Sequence, residues 1–302
     1  MIVETLAAGA GLWGARALAH RAILHGLRAP RLSHPQTPDG AGLGPDAVQE
    51  VRIATTGGRQ LFGWLVSPAR PATSPAAAVL AMHGWGANAS SMWPVVAPLH
   101  AAGFAVLLID ARCHGRSDDE DFTSLPRFAE DIATGLQWLR SRKDIAPDRL
   151  ALLGHSVGAG AALLHAAQQR DVCAVISLSA FAHPREMMRR FLSANHVPYP
   201  VLGWYVMRHV QSVIGARFDD IAPLTTLARV TCPVLLVHGR NDTTVPVEDA
   251  RRLQAAAPRS RLLLVDGAHD LRAPLAEYSP VIVDFLRKAC DVPELSSSDG
   301  AR

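Results

Sequence analysis

Short runs of consecutive apolar residues recur along this chain, and their spacing indicates an architecture before any motif is considered. Val51 to Ala54 and Leu61 to Val66 flank Thr56-Gly57-Gly58-Arg59 and predict a β-hairpin. After it come Ala78 to Met82, Ala105 to Ile109, Leu150 to Leu153, Ala174 to Leu178, Val234 to Val237 and Leu262 to Val265, with helical stretches between them. Apolar runs in that rhythm read as parallel strands buried on both faces and joined by crossover helices. Pro126 lies just before the run Phe128 to Leu139, and Pro246 just before Val247 to Ala256. Both fit the first turn of a helix, where the missing N–H of proline is not needed. The rhythm breaks between Ala180 and Val230, a stretch with aromatics, methionines and arginines but no clear strand. The expected class is therefore α/β, a mostly parallel central sheet with helices on both faces. Residues 48–180 and 230–290 form the core, 181–229 an inserted helical cap, 1–47 an N-terminal amphipathic helix and linker, and 291–302 a disordered tail.

Composition narrows the partners. A chain of 302 residues, 49% apolar, is enough for one large domain with a substantial core. The net charge is only +3, and the basic residues are scattered, so no nucleic-acid footprint is present and a small-molecule substrate is expected. Cys113, Cys173, Cys232 and Cys290 form no C-x-x-C pair, which suggests neither a zinc site nor a dense disulfide framework. Cys173 and Cys232 border apolar runs and read as buried thiols, pointing to a reducing, cytoplasmic setting. No metal or organic cofactor is called for. At the N-terminus, Leu6 to Ala19 is apolar, but Arg16, His20 and Arg21 interrupt it before the about 20 residues that a membrane span needs. Glu4 stands where a secretory signal would carry lysine or arginine. Residues 1–30 thus read as a helix docked on the domain or lying on a membrane surface, the latter a peripheral association.

The strongest local signal is Gly154-His155-Ser156-Val157-Gly158, between the strand Leu150 to Leu153 and the helical run Ala159 to Ala167. It matches G-x-S-x-G in a strand–turn–helix setting, in which a serine raised on a tight turn leaves room only for very small neighbours. Gly160 extends that small surface where helix and sheet are expected to meet. A serine hydroxyl needs a base within hydrogen-bond reach and an acid to orient the base. Asp242 follows the strand Val234 to Val237, and His269 follows Leu262 to Val265, both in loops at the carboxyl end of the sheet where sites form. Asp249 and Glu248 compete as the acid but fall inside the next helix. Among the thirteen histidines only His269 follows the last strand. The oxyanion of an acyl-transfer intermediate needs two backbone N–H donors. Val157 supplies one, and Trp85 in His83-Gly84-Trp85-Gly86 the other.

Together these residues resemble the α/β-hydrolase superfamily over roughly Val48 to Ala289. Val51 to Pro68, the His83-Gly84-Trp85-Gly86 turn and Asp110-Ala111-Arg112-Cys113-His114-Gly115-Arg116-Ser117 are similar to its bacterial, often membrane-associated esterase-like branch and the related serine aminopeptidases and lipases. The resemblance implies the α/β-hydrolase fold with Ser156, Asp242 and His269 as a triad forming an acyl-enzyme without a cofactor. Cys113 departs from it, because the family carries glycine there. Serine at position 156 argues against a dehalogenase or epoxide hydrolase. The expected activity is that of a serine esterase on small to medium apolar acyl groups. A thioesterase, aminopeptidase or acyltransferase shares the first half of that mechanism. A non-catalytic binding module would be expected to lack a triad residue. In the cap, Glu186, Asp219 and Asp220 face six arginines, a balance that disfavours a cationic substrate. Met187, Phe191 and Trp204 are expected to line an apolar acyl wall.

Overall fold

The computed structural model describes residues 16–38, 43, 46–69 and 75–292. Residues 1–15 of the expected N-terminal segment and 293–302 of the expected tail lie outside the described residues. Residues 16–26 form helix α1. Strands β1 (Val48–Ala54) and β2 (Gln60–Val66) make the expected antiparallel hairpin, in register from Val48↔Val66 to Ala54↔Gln60. Six further strands follow: β3 (Ala76–Met82), β4 (Ala105–Ile109), β5 (Ile145–His155), β6 (Ala174–Leu178), β7 (Val234–Gly239) and β8 (Arg261–Val265). They join one sheet in the order β1-β2-β4-β3-β5-β6-β7-β8, parallel from β4 to β8. β4 and β5 flank β3 on opposite sides, so the strand order reverses at β3, and the loops leaving β3 and β5 part there. Ligands bind at such a crevice.

Successive side chains of each parallel strand enter two different cores. Leu80 and Met82 of β3 pack on one side with α3 (Leu125–Arg140) and α4 (Val157–Gln169). Val79 and Ala81 pack on the other side with α2 (Val96–Ala101) and α10 (Leu275–Ala289). Neither face of β3, β4, β6 or β7 meets water, which is why these strands carry unbroken apolar runs. Helix α3 starts under an Ser124 cap, whose side chain accepts from the Arg127 N–H, with Pro126 in its first turn. Gly160 does not meet the sheet as expected. A Cβ there would touch Leu125, Pro223 and Phe181, so this glycine lets α3 and the cap approach α4.

Between β6 and β7 the chain forms α5 (Pro184–Ala194), a π-helical turn (Tyr199–Gly203), α6 (Trp204–Ile214), α7 (Phe218–Ile221) and α8 (Pro223–Leu227). Asp249 of α9 (Val247–Ala256) ties this insertion down. It is 2% exposed, and its carboxylate accepts from the Ala182 N–H at 3.1 Å and from Arg190 at 3.3 Å. Helix α1 rests on the domain through Ile23 and the Leu27 that follows it, and His20 lies 2.9 Å from His209 of α6. No helix among the described residues is long and apolar enough to cross a membrane.

A second expectation is corrected. Cys173, read as a buried thiol, is disulfide-bonded to Cys290 across 117 positions, with Cα atoms 5.4 Å apart. The reading of a reducing compartment loses its support with it. The pairing arises because α10 returns across the sheet and ends beside the start of β6. Cys232 is free, and burial pushes its thiol up to about 11.

Candidate active site

The turn from β5 to α4 holds Ser156 at φ 53° and ψ −114°, a left-handed conformation that costs a non-glycine residue about 1–3 kcal/mol. The Ser156 N–H is anchored to the Leu178 carbonyl at 2.8 Å. Glycines on both sides are sterically required. A Cβ on Gly154 would lie 2.3 Å from the Gly158 oxygen, and one on Gly158 2.4 Å from the His83 oxygen. The serine is thereby raised on the turn and left half-buried.

Asp242 and His269 are brought together from the ends of β7 and β8. His269 Nδ1 is 2.8 Å from Asp242 Oδ2. The N–H groups of Thr244 and Val245 donate to Oδ1 at 2.9 and 2.8 Å. Burial pushes the Asp242 carboxyl up, but the hydrogen bonds from His269 and the Val245 backbone outweigh it and hold the group below the usual carboxylate range. An ionised Asp242 can only accept, so Nδ1 carries the proton and Nε2 is left as the basic nitrogen. The Ser156 hydroxyl makes no hydrogen bond to the His269 ring among the described residues.

Two groups not assigned a role by sequence hold His269 in place. Its carbonyl accepts from His155 Nε2 at 2.9 Å and from the Ser179 hydroxyl at 3.3 Å. The signal for His155 was its place inside the serine motif. Ser179 gave none, although it sits at φ 52°. The competing acids are engaged elsewhere, Asp249 with the cap and Glu248 with Arg251.

The loop after β3 passes directly over the serine turn. A Cβ on Gly84 would come within 3.2 Å of both Ser156 Cβ and His155 Nδ1. Neither the Trp85 N–H nor the Val157 N–H, the latter at the first position of α4, is taken by a carbonyl among the described residues. The motif at positions 110–117 supports this loop. Asp110 is fully buried and accepts from the N–H groups of Ala89 and Arg116, each at 2.7 Å. Gly115 must lack a side chain, because a Cβ there would lie 2.0 Å from Asp110 Oδ2. Cys113, the position at which the sequence departs from the resemblance, has a backbone that a glycine would favour, at φ 66°. Its buried thiol points to the carbonyls of Glu120 and Phe122, and burial pushes its pKa up.

His83 and His114 brace the loop as neutral rings. The Ala111 N–H donates to His83 Nε2 at 3.0 Å, so Nδ1 carries the hydrogen given to the Gly84 carbonyl at 2.7 Å. Likewise Gly86 N–H donates to His114 Nε2 at 3.2 Å, and His114 Nδ1 donates to the Arg112 carbonyl at 2.9 Å. Burial, reinforced by the neighbouring His114, lowers the His83 pKa to about 3. The unfolded chain binds that proton near its ordinary value of about 6.5. His83 therefore imposes no penalty on folding above about pH 6.5, and stability is lost as pH falls below it. Between pH 7 and pH 5 the unfolding free energy is expected to fall by about 2 kcal/mol more in the wild type than in His83→Gln. Urea unfolding of both proteins at the two pH values measures this, and equal falls would reject the neutral ring.

Beside the Asp242–His269 pair lies a concavity of about 500 Å³. His155, His269 and Trp85 reach its wall, while Ser156 is not itself in it. Met92, Val95, Leu178, Leu271, Leu275 and Tyr278 make the wall apolar, and Leu32, Ser33 and Pro35 close it from the N-terminal segment. The cap residues expected there stand elsewhere. Met187 packs against the core on the α3/α4 side, and Phe191 and Trp204 are 58% and 57% exposed on α5 and α6.

Comparison with known proteins places this arrangement. The family model of serine aminopeptidase, S33, matches residues 73–215. The Escherichia coli O157:H7 protein YfhR is 30% identical over 241 residues, covering 77% of this chain and 78% of its own. The Danio rerio lysophosphatidylserine lipase ABHD12 is 29% identical over 177 residues, 55% of this chain and 42% of its own. Among solved structures, an esterase of Pyrococcus furiosus aligns with a TM-score of 0.70 at 22% identity, over 87% of this chain and 98% of that one. With the sheet order, the serine turn and the Asp242–His269 pair already in hand, these similarities establish that the chain belongs to the α/β-hydrolase superfamily.

Proposed function

We propose that this hydrolase is a serine esterase acting on small to medium apolar acyl groups. The observation that supports it best is the pairing of Asp242 with His269 at the same sheet edge as a serine raised on a strained turn. In this reading Ser156 Oγ attacks the ester carbonyl while its proton passes to His269 Nε2. The N–H groups of Trp85 and Val157 receive the oxyanion. His269 then protonates the departing alkoxide, leaving Ser156 acylated. Water, deprotonated by the same nitrogen, attacks the acyl-enzyme to release the acid and restore the serine.

The wall of the adjoining concavity favours an ester over an aminoacyl substrate. A substrate ammonium in a partly dehydrated site needs a free carboxylate, since an unpaired charge there is costly. Asp270 is the carboxylate in that wall, and Arg272 Nε already donates to it at 2.8 and 2.9 Å. Two measurements test the proposal: fluorophosphonate labelling located on Ser156 by mass spectrometry, and kcat/KM for p-nitrophenyl esters beside aminoacyl naphthylamides. Labelling with faster ester cleavage is expected. Faster cleavage of the amides would make the enzyme a peptidase instead.

A further inference from the structure

We infer that the irregular N-terminal strap around residues 31–35 is the specificity-determining outer wall of the substrate pocket, with Leu32 as the residue that senses an apolar chain. The inference rests on the esterase reading for its substrate, but not for its geometry. The strap is fastened to the parts of the fold that build the site. Asn88, next to the loop bearing Trp85, donates from Nδ2 to the carbonyls of Leu32 and Ser33 at 3.0 and 3.1 Å. Arg31 donates to the carbonyls of Gly115 and Ser117 at 2.6 and 2.9 Å, inside the motif that supports that loop. His34 Nε2 lies 2.9 Å from the buried Asp110 carboxylate. Pro30 packs where a Cβ on Gly86 would lie 3.3 Å from its ring.

So fastened, the strap leaves an apolar side chain in water at the mouth of the pocket. Leu32 is 53% exposed and Trp85 38%, and both line the concavity that reaches His269. Exposed leucine and tryptophan at one mouth are explained by a ligand that covers them. That ligand is an apolar chain of an acyl or alcohol group running between them. Burying each methylene of such a chain is worth roughly a fourfold gain in binding. Replacing Leu32 with serine removes the apolar partner of several methylenes while keeping an exposed, irregular position that tolerates the change.

The test compares wild type, Leu32→Ser and, as a control on the same N-terminal segment, Leu18→Ser, whose side chain is 71% exposed on α1 and lines no part of the pocket. Two readouts are taken: the ratio of kcat/KM for p-nitrophenyl decanoate to that for the acetate, and the Kd of decanoate by calorimetry. The ratio is expected to fall roughly tenfold and the decanoate Kd to rise by a similar factor in Leu32→Ser, with Leu18→Ser matching wild type. If no ester is turned over at all, the esterase reading fails, and the decanoate titration alone decides the role of the strap. An unchanged Kd in Leu32→Ser, or no decanoate binding to the wild type, overturns the inference.

Discussion

Ser156→Ala is expected to lower kcat for ester hydrolysis by roughly 10⁴- to 10⁶-fold, the range set by losing the nucleophile of a working triad. The fold should be indifferent to the change. The backbone N–H of residue 156 still bonds to Leu178, and the serine hydroxyl has no hydrogen-bond partner among the described residues to leave unsatisfied. The melting temperature therefore stays at the wild-type value while activity disappears. Retention of more than about a thousandth of wild-type kcat would remove Ser156 from the nucleophile's role.

Asp242→Asn is the second large effect, a loss of roughly 10⁴-fold in kcat, and its cause is the identity of one proton. The carboxylate accepts from His269 Nδ1, and the Thr244 and Val245 N–H groups hold its other oxygen in place. With those two donors still claiming the amide oxygen, an asparagine turns its NH₂ toward His269. Nδ1 must then accept, and the ring hydrogen moves to Nε2, where a base is needed. Combining this change with Ser156→Ala should add almost nothing, because the residues act as one unit. Additive losses would show that Asp242 acts outside that unit.

Sequence and structure agree wherever a residue's role follows from its position along a strand. The runs Ala105 to Ile109 and Ala174 to Leu178 are the strands β4 and β6 residue for residue, because a strand buried on both faces has no polar interruption to blur its limits. The meeting of Asp242 and His269 was legible for the same reason, each lying in a loop next to a strand end. The pocket was not. Its walls come from an irregular strap, a 3₁₀ segment at Ala89–Val95 and the start of α10, which have no common period. The aromatic residues of the cap were conspicuous in the sequence, yet periodicity gives no direction to a helix whose partners are unknown, and Phe191 and Trp204 face outward. The Cys173–Cys290 bond was equally hidden, since no spacing rule links residues so far apart.

That bond divides the candidate chemistry between two topological compartments. Asp242 and His269 lie within the covalent loop it closes, whereas Ser156 and Trp85 lie on the chain before it. Closing a loop of 117 positions removes about 5 kcal/mol of chain entropy from the unfolded state. It also changes what a protease can accomplish. A single cut anywhere in the exposed helices between β6 and β7 produces two polypeptides that remain one particle, because Cys173 on the first fragment still holds Cys290 on the second. The cleaved protein would migrate as an intact chain on a non-reducing gel and as two pieces after reduction, so His269 and Ser156 cannot be parted by proteolysis between β6 and β7 alone.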